Sequence, residues 1–60
     1  MNDKLTEPQR MEIFHSLVEA QDRGLGVERS RREIAAQYGV SVFDIKQIED
    51  EGLDHQWPPL

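Results

Sequence analysis

The sequence predicts an all-α fold, a bundle of three helices followed by a short extended C-terminal tail. Three segments repeat apolar residues at helical spacing, glycines and cap residues separate them, and no segment shows the convincing alternation of a strand. With 60 residues the chain is long enough for one small domain. We expect a flexible N-terminus over residues 1–5, a three-helix domain over residues 6–53 and a Trp/Pro tail over residues 54–60.

The first helix is predicted over residues 7–23. Thr6 is a suitable N-cap, and Pro8 lies in the first turn, where its missing N–H costs nothing. Gly24 and Gly26 follow as stop signals. Five apolar side chains share one helical face and are expected to face the core: Met11, Ile13, Phe14, Leu17 and Val18.

The second helix is predicted to start at Ser30, because Ser30 and Glu33 have the spacing of a capping box. Residues 24–29 then form a connector between the first two helices. The second helix is expected to end at Gly39, where a positive φ is least costly.

The third helix is predicted over about residues 42–51, with Ser41 as its N-cap. Gly52 is interpreted as the residue that stops this helix. Two prolines follow Trp57, so a helix cannot continue beyond that residue. Trp57 and Leu60 are apolar enough to fold back on the core.

The second helix, a three-residue turn and the third helix have the spacing of a helix-turn-helix. Ala35 is small where the two helices approach each other, and Gly39 lies where the chain turns sharply. Apolar residues occupy the positions that face the partner helices: Ile34, Tyr38, Val40, Ile45 and Ile48.

Residues 32–53, REIAAQYGVSVFDIKQIEDEGL, resemble the promoter-reading region four of bacterial sigma factors. That family shows a Glu-Ile-Ala start, a Gly-Val-Ser turn and an Ile-Arg-Gln-Ile-Glu recognition helix, which are similar to residues 33–35, 39–41 and 45–49 here. Residues 5–10 are also similar to the family's first helix in that region. The resemblance implies a sigma factor-like bacterial protein that binds double-stranded DNA in transcription regulation. The composition adds that the protein is small and acidic, although the family is usually basic after the recognition helix.

The DNA-binding hypothesis places the third helix in the major groove. Val42 and Phe43 stand where the family usually offers Arg and Glu to base edges, and neither forms bidentate hydrogen bonds to a base. Lys46 suits a phosphate and Gln47 an adenine. A homodimer is expected, because one such domain has a small interface. The residues assigned to DNA binding are Arg29, Arg31, Arg32, Ser41, Val42, Phe43, Lys46 and Gln47.

The charge balance supports an alternative hypothesis, a protein-interaction module that does not read bases. The net charge is −5, and residues 47–60 carry four carboxylates and no Lys or Arg. The three arginines at residues 29–32 either clamp phosphates or pair with neighbouring acids. The partner in this hypothesis is RNA polymerase or another regulatory protein. Its contact residues are Val42, Phe43, Trp57 and Leu60. Two structural alternatives remain open: one of Val42 and Phe43 packs under the first helix or the tail, and the tail with Trp57 covers the core.

The composition argues against other classes of function. The chain has no Cys, no nucleophile–base pair, no phosphate-binding loop and no metal-ligand pattern, so we expect no enzyme activity, no cofactor and no metal. His15 and His55 lie forty residues apart and are interpreted as surface histidines. No stretch reaches the roughly 18 apolar residues of a membrane span, and the first ten residues have no apolar run. A cytoplasmic protein without membrane contact is therefore expected.

Overall fold

The structure, a computed structural model, describes residues 5–59. It contains the helices α1 (Glu7–Asp22), α2 (Val27–Tyr38) and α3 (Val42–His55), and each helix packs against the other two. Within the described range there is no strand. The prediction of an all-α, three-helix bundle is confirmed. Most of the predicted N-terminal segment, residues 1–4, lies outside the described residues, whereas Leu5 packs against the core.

Helix α1 begins as the sequence predicts. The Thr6 hydroxyl accepts a hydrogen bond from the Gln9 N–H at 3.3 Å, and the Gln9 side chain accepts one from the Thr6 N–H at 2.8 Å. This reciprocal capping box satisfies two backbone donors that the helix itself leaves unpaired. Arg23 is the C-cap, and Gly24 follows with φ +96°.

Helix α2 begins at Val27 with Gly26 as its N-cap, so its cap lies four residues before the predicted Ser30 cap. Ser30 is therefore inside the helix and not at its cap. Its hydroxyl donates to the Val27 carbonyl at 2.8 Å and lies 3.4 Å from Gln21 Nε2 on α1. Ser30 is completely buried, and these two partners satisfy a hydroxyl that would otherwise be costly to bury. The predicted Ser30 cap and the connector at residues 24–29 are wrong.

The turn between α2 and α3 consists of residues 39–41 and follows the prediction. Gly39 has φ +71°, a left-handed conformation that glycine adopts without steric cost. The Ser41 hydroxyl accepts from the Asp44 N–H at 2.9 Å, and the Asp44 carboxylate accepts from the Ser41 N–H at 3.3 Å. This capping box fixes where α3 starts and so fixes the direction of its first side chains.

Helix α3 continues through Gly52 and ends at His55, with Gln56 as its C-cap at φ +54°. The predicted end near residue 51 is wrong. Gly52 is buried, and a Cβ at this position would overlap the ring of Phe14 on α1. Glycine is present here for close packing of the two helices and not for a turn.

Trp57 follows α3 and closes one end of the core. It is buried, and its ring packs edge-to-face against Phe14, with centroids 6.1 Å apart and planes at 77°. The His55 ring stacks on it at 5.8 Å. The rest of the core is apolar and comes from all three helices: Ile13, Phe14, Leu17, Ala20, Ile34, Ala35, Ile45 and Ile48. The tail therefore covers the core at Trp57, as one of the two interpretations expected.

Candidate functional site

The first two turns of α3 present side chains that the core does not use. Helical geometry directs Ile45 and Ile48 inward and places Phe43, Lys46 and Gln47 on the opposite side. Ser41 and Val42 lie at the start of the same helix and are exposed. We call residues 41, 42, 43, 46 and 47 the α3 N-terminal face. The structure thus brings together five of the eight residues that the sequence assigned to DNA binding.

Val42 and Phe43 are both open to solvent. The exposed fraction is 65% for Phe43 and 40% for Val42. The expectation that one of them packs under the first helix or the tail is wrong, because Ile45, Ile48 and Trp57 already fill that part of the core. Two adjacent apolar side chains at the start of α3 are therefore available to a ligand.

Charge is unevenly distributed along the outer side of α3. From Val42 to Ile48 the single carboxylate is Asp44, which takes part in the capping box, and Lys46 is exposed. The exposed carboxylates Asp50 and Asp54 follow in the second half of the helix. At 1.5 Å per residue they lie about 10 and about 16 Å along the axis from Phe43. The first half of α3 therefore has a formal charge of zero, with Lys46 and Asp44, and the partial positive charge of the helix N-terminus lies beside it.

Arg31 joins α2 to α3. Its Nε and Nη2 atoms donate to Glu49 Oε1 at 3.0 and 2.7 Å, and Gln21 Nε2 of α1 lies 3.4 Å from Glu49 Oε2. The Arg31 and Glu49 side chains are only 20% and 14% exposed. This interaction links all three helices, and it places the Arg31 guanidinium against α3 and away from solvent.

Arg29 and Arg32 lie on the solvent side of α2. Arg29 Nε donates to Glu33 Oε2 at 2.8 Å, one helical turn away. Both partners of this pair are well exposed, and such surface pairs contribute little and exchange readily for other ligands. Arg32 is exposed and has no ion-pair partner within residues 5–59. The three predicted arginines thus differ in role: Arg31 pairs with Glu49 inside the fold, whereas Arg29 and Arg32 are exposed to solvent.

A second ion pair, between Arg10 on α1 and Glu51 on α3, was not foreseen from the sequence. Arg10 Nε and Nη2 donate to the two carboxylate oxygens at 2.8 and 3.2 Å, and Nη1 donates to the Leu5 carbonyl at 2.7 Å. The hydrogen bond that Arg10 donates to Glu51 raises the pKa of Arg10, so the guanidinium stays charged at any ordinary pH. Glu49 and Glu51 of the acidic C-terminal run are therefore used inside the fold.

An open groove of about 430 Å³ lies beside this ion pair and reaches the α3 N-terminal face at Gln47. Its walls mix Arg10 and His55 with carboxylates of α3. Within residues 5–59 the Gln47 carboxamide has no hydrogen-bond partner, so it remains available to a ligand. The described part of the chain contains no group of three or more His, Asp or Glu residues arranged to hold a metal ion.

Comparisons of the chain with protein-family models, with curated proteins and with solved structures gave no match. The resemblance to sigma region four therefore stays a prediction that rests on the motifs in residues 5–53. None of the helices in residues 5–59 combines the length and the apolar character needed to cross a membrane.

Proposed function

We propose that this chain is a small helix-turn-helix DNA-binding protein or module that acts in transcription regulation, with α3 as its recognition helix. The observation that carries the proposal is the α3 N-terminal face. It combines Lys46, the Gln47 amide and two exposed apolar side chains next to a helix N-terminus, and its one carboxylate is held in the capping box. A recognition helix uses its N-terminal residues to contact base edges in the major groove.

The position of the acidic residues is compatible with this docking. Asp50 and Asp54 lie about 4.5 and about 10 Å along α3 beyond Gln47, the last residue of the N-terminal face. If α3 enters the groove by its N-terminus, these carboxylates stay toward the rim. Glu49 and Glu51 are neutralised by Arg31 and Arg10 and add little repulsion.

Contacts to the DNA backbone are assigned to Arg29, Arg32 and Lys46, which are exposed on α2 and α3. Two or three such contacts give a weak monomer, since each neutralised phosphate contributes only about −0.9 to the slope of log affinity against log salt. A homodimer on two half-sites doubles that number, and we retain it as part of the proposal.

Fluorescence anisotropy with a labelled pool of random duplex DNA tests the proposal. Raising the salt from about 50 to about 200 mM should weaken the binding of one copy about tenfold to fortyfold. The double variant Arg32→Ala/Lys46→Ala should reduce the magnitude of the salt slope by about 2. Arg23→Ala is the control and removes one positive charge, so the double variant is compared with it per charge removed. Because Arg23 lies in the loop before α2, its removal should leave the salt slope unchanged.

Two results would contradict the DNA-binding proposal. The first is an absence of binding at low salt with a protein that circular dichroism shows to be folded. The second is an equal reduction of the salt slope per removed charge in the control and in the double variant. That pattern would mean that binding depends only on the net charge of the chain.

A second candidate, a protein-interaction module that contacts RNA polymerase or another regulator, is favoured by the exposure of Phe43 and Val42. Trp57 is buried and no longer suits this role, and Leu60 lies outside the described residues. Purified bacterial RNA polymerase should then retain the chain on a column and should not retain Phe43→Ala. Leu53→Ala is the control, because it also removes an exposed apolar side chain from α3 but lies outside the N-terminal face.

A further inference from the structure

We infer that Phe43 and Val42 read thymine methyl groups, so that α3 selects DNA in which a thymine lies close to an adenine contacted by Gln47. This inference rests on the proposed DNA-binding function and names the kind of site that the α3 N-terminal face selects. It concerns specificity, which the phosphate contacts of Arg32 and Lys46 do not provide.

The two exposed apolar side chains suit only one kind of group in the major groove. Among the groups that base pairs present in the major groove, the C5-methyl of thymine is the apolar one. A phenyl ring or an isopropyl group placed against guanine O6 or cytosine N4 would cover a polar atom without giving it a partner, which is unfavourable. Phe43 and Val42 therefore favour positions where a thymine methyl projects into the groove.

Gln47 lies close enough to Phe43 on α3 for the two side chains to contact neighbouring base pairs. The two residues are four apart, so they are neighbours on one side of α3, about 6 Å apart along the axis. Successive base pairs are about 3.4 Å apart, so the two side chains reach positions one or two base pairs apart. The Gln47 carboxamide has no partner within residues 5–59 and matches the N6 and N7 atoms of adenine.

The charge around Val42 and Phe43 favours DNA as the ligand of these two apolar side chains. Lys46 lies between Phe43 and Gln47 in sequence, is exposed, and has no ion-pair partner in the described part of the chain. The helix N-terminus adds partial positive charge at the same place, part of which the Asp44 carboxylate of the capping box offsets. An apolar pair bordered by positive charge complements a thymine methyl bordered by phosphates.

The test compares thymine with uracil, which lacks only the C5-methyl group. A preferred duplex is first selected from a random pool, and each thymine in it is then replaced by deoxyuridine in turn. We expect one or two positions at which the replacement raises the Kd about fourfold, the equivalent of ~0.8 kcal/mol per buried methyl. All other positions should show no change.

Variants of the protein assign that effect to a side chain. Phe43→Ala should lose the uracil effect at the position that its ring contacts, and Val42→Ala should lose it at any second position. The helix content of Phe43→Ala should be unchanged because the ring is exposed. Leu53→Ala, which also removes an exposed apolar side chain from α3, should keep the fourfold difference. Gln47→Ala should weaken discrimination at an adenine and should also keep the difference.

The outcomes separate the inference from the proposed function. Binding of the selected duplex without a uracil effect at any position would overturn methyl reading while DNA binding stands. A uracil effect that persists unchanged in the double variant Val42→Ala/Phe43→Ala would also overturn it. No binding of any duplex at low salt, with capture by a protein partner in its place, would overturn the DNA-binding proposal and the inference together.

Discussion

The ion pair between Arg31 and Glu49 gives a prediction that separates the stability of the fold from contact with DNA. Arg31→Ala removes a guanidinium that donates two hydrogen bonds to Glu49. The Glu49 side chain, 14% exposed in the parent chain, then keeps the Gln21 amide at 3.4 Å as its remaining partner among the described residues. We expect Arg31→Ala to destabilise the domain and not merely to lower its positive charge.

The magnitude follows from the partial burial of the pair. Removing one partner of a fully buried ion pair costs about 3–5 kcal/mol, whereas exposed pairs contribute about 0–1 kcal/mol. With 20% and 14% exposure the pair lies between these limits, so we expect a loss of about 2 kcal/mol. A 60-residue domain has about 3–9 kcal/mol of stability in total. The corresponding fall in Tm is about 8–16 °C.

Urea and thermal unfolding followed by far-UV circular dichroism measure this loss. Arg32→Ala is the matched control, because it removes the same charge from the adjacent exposed position and should change stability by less than about 0.5 kcal/mol. Adding Glu49→Gln to Arg31→Ala should restore part of the lost stability, since the uncompensated carboxylate is then gone. In the anisotropy assay only Arg32→Ala should reduce the salt dependence of DNA binding.

The opposite pattern would refute this reasoning. If Arg31→Ala unfolds at the same urea concentration as the parent chain and weakens DNA binding as much as Arg32→Ala, Arg31 contacts phosphate and its pairing with Glu49 contributes nothing measurable. A loss of stability that Glu49→Gln does not reduce would show that the packing of the arginine stem, and not its charge, stabilises the bundle.

Two further predictions concern the closed end of the core, and both are measured by urea unfolding. Trp57→Ala should cost about 3 kcal/mol or more, because the ring is buried and packs edge-to-face on Phe14; an unchanged midpoint would mean that the tail does not cover the core. Gly52→Ala should destabilise the domain by about 1 kcal/mol. Overpacking against the fully buried Phe14 costs about 1–3 kcal/mol, and this cost exceeds the gain of about 1 kcal/mol in helix propensity. A stabilised Gly52→Ala would show that the Phe14 ring has room to move.

The parts of the fold that depend on local chemistry could be predicted from the sequence. The Thr6 and Ser41 caps and the left-handed Gly39 each depend on residues no more than a few positions away. Ser30 and Gly52 were misinterpreted because distant residues determine their roles. Ser30 has the spacing of a cap but is buried beside Gln21, and Gly52 resembles a stop signal but packs against Phe14, 38 residues earlier.

The candidate site was predictable to a similar extent. The outward direction of Phe43 and Lys46 follows from the helical period and from the burial of Ile45 and Ile48. The pairing of Arg31 with Glu49 joins residues 18 positions apart, and the sequence contains twelve carboxylates with no local rule to choose among them. Only the packing of α2 on α3 determines which carboxylate the arginine meets.

The net charge of −5 does not by itself oppose DNA binding, because the carboxylates differ in what they do. Glu49 and Glu51 are cancelled in place by Arg31 and Arg10, so their fields fall off quickly with distance. The exposed Asp50 lies one helical turn beyond Lys46, about 6 Å along α3 and within one Debye length at 0.1 M salt, whereas Asp54 lies about 12 Å beyond Lys46. Salt therefore screens the repulsion from Asp54 more than it weakens direct contacts of Lys46 or Arg32 with phosphates, whereas Asp50 is close enough to Lys46 to oppose phosphate binding there.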